Sequence, residues 1–309
     1  MGKRQQLTLG LLVLLMLVFW LTTDNFGLVG QLAHNVKPET IDTKGVFLAA
    51  KPQRIVSMSP GNTEILFALG AGDRVVGVTS FCDYPEQAKA KPKIGGFYTP
   101  DVETIVTLAP DIVFAAGDVQ SRYISSLQQA GIPVVSIEPK TMPEVLAAIT
   151  VISELIGEQA NGAVLHAALA NQLEQVHQLT KATTPRRVFL EVWDMPFLTV
   201  GSKSFISDII TQAGGISAAI DRDVDYTPCD FETLYAYDPE TYITINRTQE
   251  ESRTVSNRPE LAEITAIKEN QVYHMQDDIL ARPGPRSFTG LAQLAKLLHP
   301  EVMQNWREE

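Results

Sequence analysis

Hydrophobic and polar positions alternate along most of the chain in short blocks that favour strands followed by helices. The apolar run RIVSMS predicts a buried strand, and the block from Pro60 to Leu69 predicts a helix with Ser59 as its N-cap and Gly70 as its stop. The blocks RVVGVTS, VETIVTLA, DIVFAAG, RYISSLQQAG and PVVSI continue as strand, helix, strand, helix and strand. Strands that alternate with helices are typical of an α/β unit with a mostly parallel sheet.

A long helical pattern follows this first unit. Residues 158–184 contain no proline, and their apolar side chains recur at helical spacing: Val164, Leu165, Leu169, Leu173, Val176 and Leu179. At about 1.5 Å per residue, such a helix spans about the width of a small domain. We therefore predict a single rigid helix that connects two parts of the chain.

The pattern of the first unit returns after this helix. The segment DVETIVTLAPD, which begins at Asp101, is matched by DFETLYAYDPE, which begins at Asp230. The predicted fold is therefore α/β, with two similar Rossmann-like lobes, residues 53–157 and 185–309, that contain mostly parallel sheets and are joined by one long helix. Two such lobes enclose a cleft, and clefts at domain junctions are preferred ligand sites.

The N-terminal residues have the pattern of an export signal. Lys3 and Arg4 precede an uncharged apolar run from Leu7 to Leu21, which is short for a membrane span. Residues 1–22 are thus either a cleaved signal peptide or a retained N-terminal anchor, and residues 23–52 lack strong periodicity and are predicted to be a tether. Both alternatives place the lobes outside the cytoplasm, in the periplasm or an equivalent space, attached to the inner membrane if the segment stays uncleaved.

Composition narrows the class of protein. The chain has 309 residues, of which 45% are hydrophobic, so it can bury real cores. Its net charge of −11 argues against a nucleic-acid partner, which favours a basic face. The only cysteines are Cys82 and Cys229, one in each half. An extracytoplasmic location permits a disulfide between them, and two separate thiols are the alternative.

The usual catalytic motifs are missing. There is no GxxxxGK[ST] phosphate loop, GAGDRVVG does not have the GxGxxG spacing, and SMSPG is not the GxSxG nucleophile elbow. The histidines are scattered along the chain without a close pair: His34, His166, His177, His274 and His299. A zinc or manganese site needs clustered ligands. We therefore predict no enzyme, no catalytic residue, no metal site and no cofactor.

Aromatic side chains in predicted loops mark a candidate binding surface. They are Phe81, Tyr84, Phe97, Tyr98, Trp193 and Tyr226. Loops at strand ends carry the binding groups of open α/β sheets. Any one of these rings could merely cover a lobe edge, but together they predict a wide apolar cleft lined by rings. Arg282, in ARPGPRS, either adds a positive group to this cleft or belongs to a stiff turn between prolines.

The chain from about Gln53 to its end resembles the cobalamin and ferric-siderophore binding proteins of ABC uptake systems, which are class III substrate-binding proteins. The resemblance is found in four sequence segments: RIVSMSPGNTEILFALGAG, GVTSFCDYPEQA, KPKIGGFYTPDVETIVTLAPDIVFA and RPGPRSFTGLAQLAKLLHPE. The resemblance implies ligand contacts by Phe81, Phe97 and Tyr226. It also implies a bulky metal chelate as the ligand, with cobalamin as first choice, a ferric siderophore second and haem third.

The resemblance further implies a partner. In this family a glutamate on each lobe docks against arginines of the membrane permease, and the matching residues are Glu103 and Glu232. The expected partners are an ABC permease and its ATPase, and the protein itself is expected to be a monomer. Two carboxylates on rigid lobes can orient a protein on a basic partner. Glu64, by contrast, lies near the start of a helix, where the helix dipole suffices to explain it.

Two other classes compete with transport. An exported glycoside hydrolase needs two carboxyl groups about 5–10 Å apart across one bond. The carboxylates of the repeated segment are on separate lobes, which makes that proximity difficult. A sensor domain or anchored scavenger without its own permease is the other alternative.

Overall fold

The computed structural model describes residues 40–44, 46, 48–194, 196–245, 255–304 and 306. The predicted signal or anchor segment, residues 1–22, lies outside the described residues, as does most of the predicted tether. Glu39–Glu309 is one compact unit with its own hydrophobic core. Among the described residues, no helix has both the length and the apolar character needed to cross a membrane.

The first lobe contains a five-stranded sheet. Its strands are β1 (Ile41–Asp42), β2 (Ile55–Ser57), β3 (Val75–Val78), β4 (Ile112–Ala115) and β5 (Val134–Ile137). The strand order is β1-β5-β4-β2-β3, in which β2 to β5 are parallel and β1 is antiparallel to β5. Strand β1 falls within the predicted tether, so the ordered lobe begins before Gln53.

Five helices connect and flank these strands in the described residues. They are α1 (Pro60–Ala68), α2 (Glu86–Lys89), α3 (Val102–Thr107), α4 (Ser121–Gln129) and α5 (Met142–Leu155). The predicted cap of α1 is confirmed, because the Ser59 hydroxyl accepts a hydrogen bond from the backbone N–H of Asn62. Gly70 ends this helix region with φ of +79°, a conformation that favours glycine.

The predicted connecting helix is α6 (Gln159–Thr180), an uninterrupted helix of 22 residues. Near its start, Gly162 packs so closely on α5 that a Cβ atom would lie 2.2 Å from the Ser153 hydroxyl. Farther along, the side-chain amide of Gln172 donates to the Phe288 carbonyl in the second lobe, at 3.0 Å. The helix is therefore packed against both lobes along its length.

The second lobe repeats the first and adds a small sheet. Its parallel strands are β6 (Arg186–Glu191), β9 (Gly215–Ser217), β11 (Thr241–Thr244) and β12 (Val272–His274). The added strands are β7 (Trp193–Asp194), β8 (Phe197–Val200) and β10 (Tyr226–Pro228). Its helices are α7 (Phe205–Gln212), α8 (Phe231–Tyr237), α9 (Thr265–Lys268), α10 (Asp277–Ala281), α11 (Arg286–Leu298) and α12 (Pro300–Met303). The C-terminal helical segment is thus divided at His299, just before Pro300.

Strand order confirms the internal duplication. The parallel strands of the first lobe run in the order β5-β4-β2-β3 and those of the second in the order β12-β11-β6-β9. If the four parallel strands of each lobe are numbered in chain order, both sheets place the fourth strand at one edge, followed by the third, the first and the second. The repeat extends to the backbone, because the equivalent residues Ala109 and Asp238 both have left-handed φ angles, +43° and +44°. The predicted two-lobed α/β fold with a long connecting helix is confirmed.

The two lobes share one hydrophobic core. Along β4, Ile112 and Phe114 face this shared core, whereas Val113 faces a second cluster on the outer side of the first lobe. Along β6, Val188 and Leu190 face the shared core, and Phe189 faces an outer cluster of the second lobe. This alternation follows from the period of two in a strand. Each sheet therefore has one face buried against helices that bridge the lobes.

Candidate ligand-binding site

The predicted rings gather at the carboxyl edges of the two parallel sheets. In the first lobe they lie in the long loop between β3 and α3, and in the second lobe on the small sheet that follows β6. Large exposed fractions are found for these rings: Phe81 53%, Tyr84 46%, Tyr98 65%, Trp193 55% and Tyr226 47%. Phe97 is partly buried. Apolar rings left exposed at a sheet's carboxyl edge are typical of a ligand surface in open α/β folds.

A buried glutamine fixes the loop that carries Phe97 and Tyr98. Gln120 is fully buried, and its side-chain amide donates to the Phe97 carbonyl at 2.8 Å and to the Met58 carbonyl at 2.9 Å. The Tyr123 hydroxyl donates to the Tyr98 carbonyl at 3.2 Å. The rings of Phe97 and Tyr98 contact each other edge to face, with centroids 4.9 Å apart. The loop is therefore held by buried polar groups and presents its rings in a fixed arrangement.

Two glycines bring Phe81 beside this loop. Gly95 has φ of +92°, and a Cβ atom on it would lie 2.6 Å from the Thr99 carbonyl oxygen. A Cβ atom on Gly96 would lie 4.0 Å from the ring of Phe81. The first lobe thus places Phe81 next to the segment that leads into Phe97 and Tyr98.

The second lobe positions its rings on the small antiparallel sheet, whose order is β10-β8-β7. Trp193 pairs with Leu198, and Leu198 pairs with Pro228 two residues beyond Tyr226. Paired residues in an antiparallel ladder project to the same face, and so do residues two apart along one strand. Trp193 and Tyr226 therefore share one face of this sheet. These strands were not predicted from the sequence, because runs of two to four residues are too short to show an alternation of hydrophobic and polar side chains.

Tyr226 faces residues of the first lobe. Burial raises the pKa of its phenol, the Asp225 carboxylate raises that pKa further, and a hydrogen bond with the Ser204 side chain opposes both. The phenol of Tyr98 and the ammonium of Lys140, which are in the first lobe, also act on this pKa. Lys140 also pairs with Asp225, the chain neighbour of Tyr226, at 3.3 Å. Tyr226 therefore lies where the second lobe meets the first.

Tyr84 and Arg282 are engaged in contacts with other side chains. The Tyr84 ring is covered by the Arg286 guanidinium, whose centre lies 4.0 Å from the ring centroid. Arg282 forms ion pairs of 2.5 Å with both Asp83 and Asp278. Burial tends to raise the pKa of Asp83, but the Arg282 guanidinium more than offsets this and lowers it. The positive charge of Arg282 is therefore already balanced by carboxylates.

The interpretation of Glu64 as a simple helix-start residue is wrong. Its side chain is 2% exposed, and its carboxylate pairs with Arg286 of the second lobe at 2.6 Å. Burial raises the pKa of Glu64, and the hydrogen bond from Arg286 opposes that rise. This pair could not be predicted from the sequence, because its members are 222 positions apart.

The predicted docking glutamates occupy equivalent places in the two lobes. Glu103 and Glu232 are exposed in the first turns of α3 and α8. The side chain of Asp101 accepts from the backbone N–H groups of Glu103 and Thr104, and Asp230 caps α8 in the same way. Each helix runs back from the carboxyl edge of its sheet to the next strand. Both glutamates therefore lie at the edges that carry the rings.

Two cavities adjoin these features. The larger, about 880 Å³, lies on the flank of the first lobe between α1, α2 and the start of α11, and its only ring from the predicted set is Tyr84. The smaller, about 400 Å³, is lined by Lys140, Ser202, Lys203 and Asp225 among others, and so it adjoins Tyr226. We place the candidate site at the ring-lined edge with the smaller cavity at its side, because the exposed rings lie at the carboxyl edges and this cavity is lined by Lys140 of the first lobe and Asp225 of the second.

The cysteines are two separate thiols. Cys82 and Cys229 are both buried and unbridged. The hydroxyl of Thr63 donates to the Cys82 sulfur at 3.1 Å, which anchors the loop of Phe81 in the first lobe. Within the described ranges, no group of three or more His, Cys, Asp or Glu side chains is arranged to hold a metal ion.

Comparison with known proteins identifies relatives along most of the chain. A family model described as periplasmic binding protein matches residues 55–279. The ABC transporter substrate-binding lipoprotein YvrC of Bacillus subtilis is 30% identical over 280 residues, which cover 87% of this chain and 88% of YvrC. The vitamin B12-binding protein of Vibrio cholerae is 28% identical over 260 residues, covering 81% of this chain and 92% of that protein.

Solved structures agree with these sequence relatives. The periplasmic vitamin B12 binding protein BtuF of Vibrio cholerae superposes with a TM-score of 0.73 at 26% identity, covering 83% of this chain and 99% of BtuF. The periplasmic heme-binding protein RhuT of a Roseiflexus species superposes with a TM-score of 0.71 at 26% identity, covering 81% of this chain and 99% of RhuT. These relatives are binding proteins that carry a transported ligand. The prediction that the chain is not an enzyme and has no cofactor is confirmed.

Proposed function

Because the chain belongs to the periplasmic binding protein family of ABC transporters, we propose that it captures a corrinoid, with cobalamin as first choice, and delivers it to a permease. The observation that carries this proposal is the set of exposed rings at the carboxyl edges of both lobes, with Tyr226 next to Asp225, whose carboxylate pairs with Lys140 of the first lobe at 3.3 Å. Large flat faces of a macrocycle can stack on such rings, and each aromatic contact adds to the apolar area that is buried.

The charges beside the rings favour a corrinoid over haem. Lys140 pairs with Glu138 at 2.8 Å and with Asp225 at 3.3 Å, and Lys203 pairs with Asp223 at 2.8 Å. These two ammonium groups are thus outnumbered by carboxylates at this end of the cleft. A haem brings two carboxylates of its own, which would compete with Glu138, Asp223 and Asp225 for the same lysines. The peripheral amides of a corrinoid carry no charge and can use donors and acceptors alike.

Haem, ranked third from the sequence, becomes the second candidate, because the periplasmic heme-binding protein RhuT has the same fold at 26% identity. A ferric siderophore becomes the third. Both are bulky chelates that would fill a ring-lined cleft. The balance of charge near Tyr226 ranks haem below a corrinoid.

Delivery to the permease is proposed to use Glu103 and Glu232. The two carboxylates lie at equivalent places on the two lobes and at the edges that carry the rings, so a basic surface that meets both would cover the mouth of the cleft. The energy for transport would come from the permease's ATPase. Residues 1–22 would either direct export and be removed or hold the protein at the membrane, and the binding protein would work as a monomer.

Calorimetric titration of Glu39–Glu309, the compact unit, tests the ligand proposal. Cyanocobalamin should bind with a stoichiometry of one ligand per protein chain. Haem and a ferric hydroxamate siderophore serve as the competing ligands. Binding of haem or the siderophore without any binding of cyanocobalamin would overturn the choice of ligand and leave the family assignment intact.

A further inference from the structure

An ionic bridge crosses between the lobes beside the candidate site. Arg282 and Arg286 are four positions apart on either side of the Pro283–Pro285 turn in the second lobe. Arg282 pairs with Asp83 of the first lobe at 2.5 Å, and Arg286 pairs with Glu64 of the first lobe at 2.6 Å. Asp278 of α10 lies between the two guanidinium groups, 2.5 Å from Arg282 and 3.7 Å from Arg286. The internal duplication does not account for this bridge, since it joins one lobe to the other.

The backbone of the same turn packs directly on the first lobe. A Cβ atom on Gly61, in the first turn of α1, would lie 2.4 Å from the Pro283 carbonyl oxygen. A Cβ atom on Gly284 would lie 3.3 Å from Gly61. No side chain separates the two lobes at this point. The arginines therefore emerge from a segment whose position relative to α1 is fixed by contact.

The ionic bridge includes a residue of the loop that presents Phe81, because Asp83 of this loop pairs with Arg282. Along this loop, Phe81 is exposed and Cys82 is buried beneath it in the first lobe. Asp83 binds Arg282, and the Tyr84 ring lies under the Arg286 guanidinium at 4.0 Å. The loop is thus held on one side by the core of the first lobe and on the other by two arginines of the second.

Stability alone is a poor explanation for this arrangement. The side chains of Arg286 and Glu64 are only 19% and 2% exposed, so this pair loses most of its hydration, and Arg282 is 16% exposed. Among the described residues, Oε2 of Glu64 and Nε of Arg286 have no hydrogen-bond partner, so the buried pair is only partly satisfied. Removing two charges from water costs about as much as their attraction returns unless the remaining polar atoms are satisfied. What such a pair does provide is a directional constraint between the elements that carry it.

We propose that Arg282 and Arg286 are positioning residues, which hold the loop of residues 80–84 in register with the second lobe and so set where the Phe81 ring meets the ligand. Arg282 acts through Asp83, and Arg286 acts through Glu64 and Tyr84. The ligand surface of the first lobe is then shaped by both lobes before any ligand arrives. This inference rests on the proposed function for the identity of the ligand, but its first test needs none.

The first test is amide hydrogen exchange of ligand-free Glu39–Glu309. Arg282→Gln should raise exchange in peptides that cover residues 80–84 on the order of tenfold, because the loop loses its tie to the second lobe. Arg282→Lys, which keeps the charge, should restore part of the protection. Asp83→Asn is a second variant at the more exposed partner and should give the same local change if Arg282→Gln folds poorly.

The matched control is Arg74→Gln. The Arg74 side chain is 13% exposed and pairs with Glu158 at 2.8 Å, at the amino end of β3, whereas the loop of residues 80–84 follows the carboxyl end of that strand. Its loss should lower stability without selective exposure of residues 80–84. Unchanged exchange in the loop of Arg282→Gln and Asp83→Asn, or a uniform increase like that of Arg74→Gln, would overturn the positioning role.

The second test is a double-mutant cycle with cyanocobalamin as the probe. Arg282→Gln should weaken binding about tenfold in the wild-type background and should have little effect in a Phe81→Ala background, because the ring that it positions is gone. Equal effects in both backgrounds would show that Arg282 does not act through Phe81 and would overturn the proposal. If the wild-type protein does not bind cyanocobalamin, the ligand proposal fails, while the exchange measurement still decides the role of the arginines.

Discussion

At the scale of single residues, the cleft depends on side chains whose backbone is held by buried polar groups. The sequence predicted the exposed rings, because large apolar residues in loops are visible as a pattern. It did not predict Gln120 or Glu64, which are buried and hold the rings and the lobes. The partners of such residues are distant in sequence, and a polar residue within a helix or loop does not reveal where its hydrogen bonds go.

Substitution of Tyr226 by Ala should weaken corrinoid binding. The ring lies half-exposed on the small sheet, next to Asp225, which pairs with Lys140 of the other lobe, so its loss removes a large apolar surface from the proposed ligand site. The expected cost is on the order of 1–3 kcal/mol, partly offset by water that refills the space. Calorimetry measures the change. Tyr235→Ala is the matched control, since Tyr235 is equally exposed but lies on α8 and donates to the Glu260 carbonyl. An equal loss in both variants would contradict the assignment of Tyr226 to the ligand surface.

Both thiols should react slowly in the native protein. Burial raises the pKa of Cys229 to about 11, and burial also raises the pKa of Cys82. A raised pKa lowers the thiolate fraction, so that at pH 8 Cys229 would be about one part in a thousand thiolate, compared with roughly a quarter for an ordinary thiol. A colorimetric thiol reagent should count two slow thiols at pH 8 and two fast ones after unfolding. Detection of no thiols without a reductant would indicate a bridge and contradict the structure.

At the scale of elements, the repeated segment forms the same helix in the same place in each lobe. Arg54 donates from its guanidinium to the Leu108 carbonyl at the end of α3, and Arg187 donates to the Asp238 carbonyl at the end of α8. The sequence predicted both helices because cap, apolar spacing and stop signals are local. It did not predict β7, β8 and β10, since their pairing depends on contacts between segments that are separate in sequence.

Loss of either aspartate cap should destabilise the protein. Asp101→Ala removes the acceptor for the N–H groups of Glu103 and Thr104, and Asp230→Ala removes the acceptor for the N–H of Thr233. Each substitution should lower the free energy of unfolding by about 0.5–2 kcal/mol. Urea denaturation measures the loss, and Asp118→Ala, at an exposed aspartate that caps no helix, should be near neutral. If Asp101→Ala and Asp230→Ala both left the free energy of unfolding unchanged, these capping hydrogen bonds would contribute little to stability in solution.

At the scale of the whole molecule, two features predict that the lobes move little relative to each other. The connecting helix α6 is continuous, and a continuous helix resists bending because consecutive backbone hydrogen bonds would have to break. The lobes also share one hydrophobic core that runs through the helices between them. The sequence predicted the helix from its apolar spacing but not the shared core, which arises only from the packing of both lobes on α5, α7 and α11.

Ligand binding should therefore leave the overall dimensions of the molecule nearly unchanged. Small-angle scattering curves of Glu39–Glu309 with and without cyanocobalamin should superimpose closely, because closure of the cleft would require the shared core to shear. A marked decrease in the radius of gyration on binding would show that the lobes close as hinged domains and that the shared core is not a constraint.

The measurement that tests the account most directly is cobalamin uptake by cells in which the protein carries both Glu103→Lys and Glu232→Lys. Like charges across an interface can cost several kcal/mol, so reversal of both carboxylates should abolish docking on permease arginines. The matched control is the pair Glu86→Lys and Glu263→Lys, which changes one exposed glutamate in each lobe away from the repeated segment. The account predicts that the purified docking variant binds cyanocobalamin like the wild type, that cells with this variant take up little cobalamin, and that the control variant supports normal uptake. Normal uptake by the docking variant, or loss of its ligand binding, would contradict the account.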